Sequence, residues 1–154
     1  MLEAGDKAPN FKLQNQDDET MQLKDFAGKT LVLYFYPRAD TPGCTTQACG
    51  IRDRLDEYAA AGAVIVGVSP DEPAALAKFK QKHKLPFDLL ADPDHAVADA
   101  YGAWGEKSMY GKQYMGILRN TYIIDGQGKL AAVLPKIQPK KHDSLVLKAL
   151  AEAA

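Results

Sequence analysis

The hydrophobic pattern of the chain consists of short apolar runs flanked by turn residues. Leu31–Tyr36 and Ala63–Ser69 are almost entirely apolar and rich in β-branched and aromatic residues, which predicts two strands buried inside a sheet. Pro86–Leu90, Ile117–Asp125 and Leu130–Leu134 predict three more strands, and a glycine-containing turn joins the last two. The sequence therefore predicts a protein built around a sheet of at least five strands.

Helical periodicity appears between these runs. Ile51, Leu55 and Tyr58 recur at spacings of four and three, and this stripe predicts an amphipathic helix from Pro42 to about Ala61. Capping residues and apolar spacing predict three more helices, from Asp71 to about Lys82, from Asp92 to Tyr101 and from Ser144 to Ala153. Strands and helices thus alternate through most of the chain.

The remaining segments complete the expected topology. Phe11–Leu13 and Met21–Leu23 flank the polar cluster Gln14–Thr20, which predicts an N-terminal β-hairpin. Gly102 and Gly105 are expected to open a loop. The resulting order of elements implies a mixed central sheet with helices on both faces, a three-layer α/β arrangement that matches the thioredoxin fold. At 154 residues, we expect a single domain spanning 1–154.

Composition and charge exclude several classes of function. The content of 46 % hydrophobic and 25 % charged residues, with a net charge of −1, is that of an ordinary soluble protein without a nucleic-acid or membrane partner. Met1–Asp6 contains no apolar run, so we expect no signal peptide, no transmembrane span and a cytoplasmic location. His83, His95 and His142 are scattered and expected to face solvent, so we expect no zinc site and no cofactor.

Both cysteines of the protein lie in one segment, Tyr36–Cys49, directly after the first buried strand. Thr41 suits the N-cap of the following helix, and Pro42 suits its first turn because the missing N–H has no partner there. Cys44 then lies in the first turn, beside free backbone N–H groups and the positive end of the helix dipole. A thiol in that position is driven toward the thiolate, so this segment is the expected reactive centre.

The cysteine segment carries a motif that is specific to one family. Pro37–Thr45 reads P-R-A-D-T-P-G-C-T and resembles the P-x-x-x-T-x-x-C active-site signature of peroxiredoxins. Three segments also resemble the bacterioferritin comigratory protein (peroxiredoxin Q) subfamily. They are T-T-Q-A-C-G-I-R-D, which begins directly after Cys44, G-A-W-G-E-K at Gly102–Lys107 and R-N-T-Y-I-I-D at Arg119–Asp125. The resemblance spans essentially the whole chain.

The resemblance implies a role for each matching residue. Cys44 matches the peroxidatic cysteine, and Cys49 matches the resolving cysteine of members that keep both cysteines in one helix. Thr41 and Pro37 match residues that shape the pocket, and Arg119 matches the arginine that faces the thiolate from a distant strand. The implied reaction is reduction of hydrogen peroxide or an organic hydroperoxide, with a sulfenic acid and then an intramolecular disulfide as intermediates. Gln47 departs from the glutamate that we expect in many relatives, on what we take to be the helix surface.

A lowered pKa of the thiol explains, by itself, little of the rate of such a reaction. Lowering the pKa of a cysteine from ~8.5 to roughly 6 raises its thiolate fraction at pH 7 about 30-fold. The accompanying fall in nucleophilicity costs roughly 10- to 20-fold, if the slope for disulfide exchange applies. The remaining rate must come from groups that polarise the peroxide. We expect these groups to be Arg119, the Thr41 hydroxyl and the backbone N–H groups of Gly43 and Cys44.

Joining the two cysteines requires a change of structure. Residues five apart in a regular helix have Cα atoms roughly 8.6 Å apart, whereas a disulfide tolerates at most about 7 Å. The helix around Cys44–Cys49 is therefore expected to unwind on oxidation. Because this pair needs no second chain, we expect a monomer. Its reductant, by resemblance, is thioredoxin or a similar dithiol.

Two other functions compete with the peroxidase. A disulfide reductase or isomerase of the same fold is less well matched, because such enzymes use C-x-x-C, whereas this spacing is C-x-x-x-x-C. A redox sensor or chaperone would use the same disulfide as a switch without continuous turnover. Peroxide consumption coupled to thioredoxin, thioredoxin reductase and NADPH separates these alternatives.

Overall fold

The computed structural model describes residues 2–153, and its centre is a seven-stranded mixed sheet. The strands of this sheet are β1 (Lys12–Asn15), β2 (Thr20–Gln22), β3 (Thr30–Phe35), β4 (Ala63–Ser69), β5 (Asp88–Ala91), β8 (Thr121–Ile124) and β9 (Leu130–Leu134). Their order across the sheet is β2-β1-β5-β4-β3-β8-β9. A separate hairpin is formed by β6 (Trp104–Met109) and β7 (Lys112–Ile117). The helices are α1 (Pro42–Asp53), α2 (Leu55–Ala60), α3 (Pro73–His83), α4 (Ala96–Tyr101) and α5 (His142–Ala153).

The centre of the sheet is buried on both faces, which explains the apolar runs. Strands β3, β4 and β5 are parallel, while β8 pairs with β3 in antiparallel fashion. Alternate residues of β3 and its extension, Val32, Tyr34 and Tyr36, pack in the cluster that contains the inner faces of α1, α2, α3 and α5. The intervening residues, Leu31, Leu33 and Phe35, pack in a second cluster with α4. The predicted three-layer, thioredoxin-like α/β fold is thus confirmed.

Several predicted elements agree closely with the structure. The N-terminal hairpin is present as β1 and β2, and β4 and β9 have the predicted bounds. The helix predicted from Pro42 to Ala61 is instead two helices, because the backbone turns at Arg54, whose φ of −115° and ψ of 19° are not helical. Ile51 and Tyr58 are nevertheless fully buried, as the stripe predicted.

The predicted loop after Gly102 was wrong, and the predicted strand Ile117–Asp125 is present as β8 but begins four residues later than predicted. Trp104–Ile117 folds as the β6–β7 hairpin, whose two-residue turn places Tyr110 and Gly111 at positive φ. Ile117 closes that hairpin, and the sheet strand begins only at Thr121. Most hairpin residues are exposed or half-buried, so no apolar alternation marks the two strands.

The burial of one histidine differs from the prediction. His142, which was expected to face solvent, has no exposed surface and lies against Tyr34 with ring centroids 5.5 Å apart. Its place at the start of α5 puts it in the core that this helix covers.

Among residues 2–153, no helix has the length and apolarity needed to cross a membrane.

Candidate active site

A short loop connects β3 to helix α1 and is fixed by side chains from other elements. The Ala39 N–H donates to the Asp71 carboxylate at 2.7 Å. Asp40 binds Lys82 at 2.9 Å and His83 at 3.1 Å, both from the C-terminal end of α3. The hydrogen bond from Lys82 is the main cause of the lowered pKa of Asp40. These contacts fix the direction in which the chain enters α1.

Thr41 occupies the predicted N-cap position, with φ of −90° and ψ of 156°. Its hydroxyl does not cap the helix but donates to the Arg38 carbonyl at 2.9 Å, which leaves the oxygen as an acceptor. The first backbone bond of the helix runs from the Thr45 N–H to the Thr41 carbonyl at 2.8 Å. The N–H groups of Gly43 and Cys44 precede this bond and point out of the helix end.

Cys44 and Arg119 lie together, 75 positions apart in the sequence. The Nη2 of Arg119 donates to the Cys44 sulfur at 3.2 Å, and its Nη1 donates to Oε1 of Gln47 at 2.9 Å. A buried anion is costly unless a counter-charge and hydrogen bonds accompany it. The guanidinium supplies both to a Cys44 thiolate.

The backbone around Arg119 explains how this distant residue reaches the helix. Antiparallel pairing places Thr121 opposite Tyr34, and the Phe35 N–H donates to the Asn120 carbonyl at 3.0 Å. The Ile137 N–H then donates to the Arg119 carbonyl at 2.8 Å. Arg119 therefore lies in the connection between β7 and β8, beside the end of β3, rather than within a strand.

Gly43 leaves the space that the guanidinium occupies. A Cβ atom at this position would lie 3.0 Å from Nη2 of Arg119 and 3.5 Å from Cγ of Pro139. The first distance is shorter than ordinary carbon–nitrogen contact, so any side chain here would displace the arginine. The absence of a side chain at Gly43 thus contributes to the position of the cation beside the sulfur.

Gln47 was wrongly placed on the helix surface by the sequence analysis. Only 1 % of the residue is exposed, and its side-chain carbonyl accepts the second hydrogen bond of Arg119. The helical spacing in the sequence already indicated this burial, because Gln47 precedes the buried Ile51 by four residues and follows Cys44 by three. All three residues therefore lie on the buried face of the helix. Being neutral, the amide orients the guanidinium without neutralising its charge.

The Cys44 side chain is almost completely shielded from solvent. Cys44 is only 1 % exposed, and Pro37, Thr41, Gly43 and Arg119 are all half-buried. A small molecule can therefore reach the sulfur only when a covering group moves aside. Small side-chain displacements of this kind occur in picoseconds to nanoseconds at exposed positions.

Cys49 lies in the same unbroken helix and has a different environment. Both cysteines are free thiols, and Cys49 is half-buried rather than buried. Helix α1 extends without interruption from Pro42 to Asp53, so the five-residue separation of the cysteines is a helical one. The structure thus shows the arrangement in which the two sulfurs cannot bond.

Arg119 also lines a pocket of about 430 Å³ that could not be predicted from the sequence. The β6–β7 hairpin and the segment after β9 form its walls, and its lining includes Lys107, Leu118, Lys136 and Ile137. No group of three or more His, Cys, Asp or Glu side chains within residues 2–153 is arranged to hold a metal ion.

A reduced cysteine at the mouth of a helix, after a central strand and beside an arginine, is the arrangement of a thiol peroxidase built on a thioredoxin-like fold. Residues 4–133 match the model of the AhpC/TSA family. Peroxiredoxin Bcp of Escherichia coli (strain K12) is 48 % identical over 153 residues, covering 99 % of this chain and 98 % of that protein. The chain belongs to the AhpC/TSA family and is a peroxiredoxin of the bacterioferritin comigratory protein (peroxiredoxin Q) group.

Two further relatives agree with this assignment. Peroxiredoxin Bcp of Bacillus subtilis (strain 168) is 47 % identical over 149 residues, with 97 % of this chain and 95 % of that protein covered. The bacterioferritin comigratory protein of Xanthomonas campestris was solved in complexes that address its alkyl peroxide reduction activity. That structure aligns with a TM-score of 0.87 at 36 % identity, covering 94 % of this chain and 92 % of the other. The protein is accordingly an enzyme, a peroxidase of the oxidoreductase class.

Proposed function

We propose that Cys44 is the peroxidatic residue and that its thiolate attacks one oxygen of hydrogen peroxide or an organic hydroperoxide. An S–O bond forms as the O–O bond breaks, giving a sulfenic acid and a hydroxide or alkoxide that takes up a proton to become water or alcohol. The observation that carries this proposal is the contact of 3.2 Å between the Arg119 guanidinium and the sulfur. The alkyl peroxide activity studied in the Xanthomonas campestris relative supports the organic substrates.

The neighbouring groups are proposed to hold the peroxide in line with the sulfur. The Thr41 oxygen, whose own proton is donated to the Arg38 carbonyl, accepts a hydrogen bond from the peroxide O–H. Arg119 and the N–H groups of Gly43 and Cys44 stabilise the charge that develops on the leaving oxygen. Pro37, half-buried at the start of the loop, shapes the wall of the pocket.

Cys49 is the proposed resolving residue. Its thiol condenses with the Cys44 sulfenic acid, which forms the S–S bond and releases water. Because the intact α1 helix keeps the two Cα atoms roughly 8.6 Å apart, α1 unwinds locally before this step. Gly43, Gly50 and two threonines lower the helix propensity of the segment, which favours such opening.

The remaining parts of the proposal concern the reductant and the setting. Thioredoxin or a similar dithiol reduces the disulfide and returns two free thiols. Two cysteines on one helix complete the cycle within one chain, so we propose a monomer. Free cysteines spaced for redox chemistry fit the reducing cytoplasm.

A coupled assay tests the proposal. NADPH oxidation in the presence of thioredoxin, thioredoxin reductase and hydrogen peroxide should continue until one substrate is exhausted. Cys44→Ser should abolish it, whereas Cys49→Ser should still consume one equivalent of peroxide but no longer turn over with thioredoxin. Continued peroxidase turnover by Cys44→Ser would contradict the assignment of the attacking sulfur. A single equivalent consumed by the wild type would favour a redox sensor.

A further inference from the structure

The β6–β7 hairpin brings a second cationic side chain into a pocket that Arg119 also lines. Lys107 and Arg119 line the same pocket of about 430 Å³, together with Leu118 and Ile137. Lys136 and Glu106 also contribute to the walls, so cations outnumber the one carboxylate. The pocket is therefore positively charged on the side that adjoins the sulfur-binding arginine.

A pair of glycines allows the lysine to lie flat on the hairpin. Gly105 and Gly116 are directly opposite each other across the two strands. A Cβ at Gly116 would lie 3.1 Å from Cδ of Lys107, and a Cβ at Gly105 would lie 3.1 Å from Cδ1 of Leu118. Both side chains thus fill the space that the glycines leave, and the lysine stem packs on the hairpin instead of extending into solvent.

Lys107 has no ion-pair partner among the described residues: within residues 2–153 it forms no salt bridge with an acidic side chain. Burial first, and then repulsion from Arg119, lower the pKa of Lys107, whereas the Cys44 sulfur raises it. Two neighbouring cations that repel each other become favourable when an anion lies between or beside them.

We propose that Lys107 is a positioning residue of the peroxidatic site, whose charge acts with Arg119 on the negative charge that passes from the Cys44 sulfur to the leaving oxygen. This inference rests on the proposed function of Cys44. Lys107 does not touch the sulfur; it acts through the electric field that it adds beside the guanidinium. The proposal gives the G-E-K segment of the hairpin a role in the rate of the first oxidation.

The test is the pH dependence of the second-order rate constant for hydrogen peroxide, measured in single turnover without thioredoxin. The wild-type rate should fall at alkaline pH as Lys107 loses its proton, below the range near 10.4 that is usual for lysine. Lys107→Arg should keep most of the neutral-pH rate and lose this alkaline fall, because arginine stays charged. Lys107→Met should be roughly three- to ten-fold slower at pH 7 and also lack the fall.

Lys112→Met is the matched control, since Lys112 is an exposed lysine of the same hairpin outside the pocket lining, and it should reproduce the wild-type profile. Thermal unfolding checks the fold. Because the folded state lowers the pKa of Lys107, its protonated form reduces stability at neutral pH, so Lys107→Met should be at least as stable as wild type. An alkaline fall that persists in Lys107→Arg, or a wild-type rate in Lys107→Met, would overturn the inference. Failure of the wild type to consume peroxide would instead overturn the proposed function.

Discussion

The two ends of helix α1 hold the two cysteines in opposite ways. At the N-terminal end, Cys44 is buried, a guanidinium lies against its sulfur, and Gly43 leaves the space that this arginine needs. Cys49, nearer the C-terminal end, is half-buried. In the proposed mechanism, the N-terminal end therefore reacts with peroxide first, and Cys49 reacts only after the helix opens.

The C-terminal end of α1 and the start of α2 contact Asp143 of α5. Asp143 accepts a hydrogen bond from the Tyr58 hydroxyl, and its other oxygen lies 2.7 Å from the position of a Cβ at Gly50. Burial tends to raise the pKa of Asp143, but the contacts with His142 and Tyr58 outweigh it and leave the pKa lowered. We therefore predict that the proposed unwinding on oxidation starts near Cys44 and does not extend past Gly50.

The largest effect is expected from removing the cation at the N-terminal end. Arg119→Ala should slow peroxide reduction about 10²- to 10³-fold, because the proposed hydrogen-bond donor to the leaving oxygen is lost. The loss should exceed any change in the fraction of Cys44 thiolate. Stopped-flow peroxide kinetics and ultraviolet titration of the thiolate on the same variant measure the two quantities.

Arg54→Ala is the control for this prediction, since Arg54 is a surface residue that pairs with Glu57. It should leave the rate unchanged. If the rate of Arg119→Ala fell only in proportion to its thiolate fraction, the guanidinium would act on ionisation alone and the role in transition-state stabilisation would be wrong.

The next largest effect is expected at Gly43. Gly43→Ala places a methyl group 3.0 Å from the present position of Nη2, so the guanidinium must move by several tenths of an ångström. We expect roughly a 10-fold lower peroxide rate, because small misplacements of catalytic donors are costly. Thr46→Ala, on the exposed face of the same helix, should change the rate little. A wild-type rate in Gly43→Ala would show that the position of the arginine is not critical.

A smaller effect on the peroxide rate is expected from substituting Gln47, and its size depends on the charge of the new side chain. Gln47→Glu should draw the guanidinium toward the new carboxylate, lower the peroxide rate about three- to five-fold and move the thiolate titration to higher pH. Gln47→Leu should lower the rate by less and leave the titration in place, since no charge is added. Identical titrations in the two variants would contradict the view that the neutral amide preserves the charge of the arginine.

The smallest effect concerns stability at the C-terminal end. Gly50→Ala gains up to about 1 kcal/mol of helix propensity, but its methyl group meets Asp143 at 2.7 Å, an overpacking that typically costs about 1–3 kcal/mol. We expect a net loss of about 1 kcal/mol in urea unfolding of the reduced protein. In an Asp143→Ala background the same substitution should stabilise. Equal changes in the free energy of unfolding in both backgrounds would contradict the close approach of Asp143 to Gly50.

Features that depend on neighbouring residues or on burial of both faces could be predicted from the sequence, whereas long-range contacts and exposed strands could not. Strands β3 and β4 could be predicted because both of their faces are buried, and Thr41 and Cys44 because capping and the cysteine motif are local. The contact between Arg119 and Cys44 spans 75 residues and was inferred only through family resemblance. The β6–β7 hairpin was missed because it is mostly exposed on both faces, and with it the pocket beside Lys107.

Hydrogen exchange of the reduced and the oxidised protein tests the central claim most directly. Mass spectrometry first confirms that the oxidised sample carries a bond between Cys44 and Cys49. We then expect the amides between these residues to exchange much faster in the oxidised protein, while those of β3 remain protected in both states. Equal protection of this segment in the two states would show that the cysteines join without unwinding the helix, and the proposed opening of α1 would then be wrong.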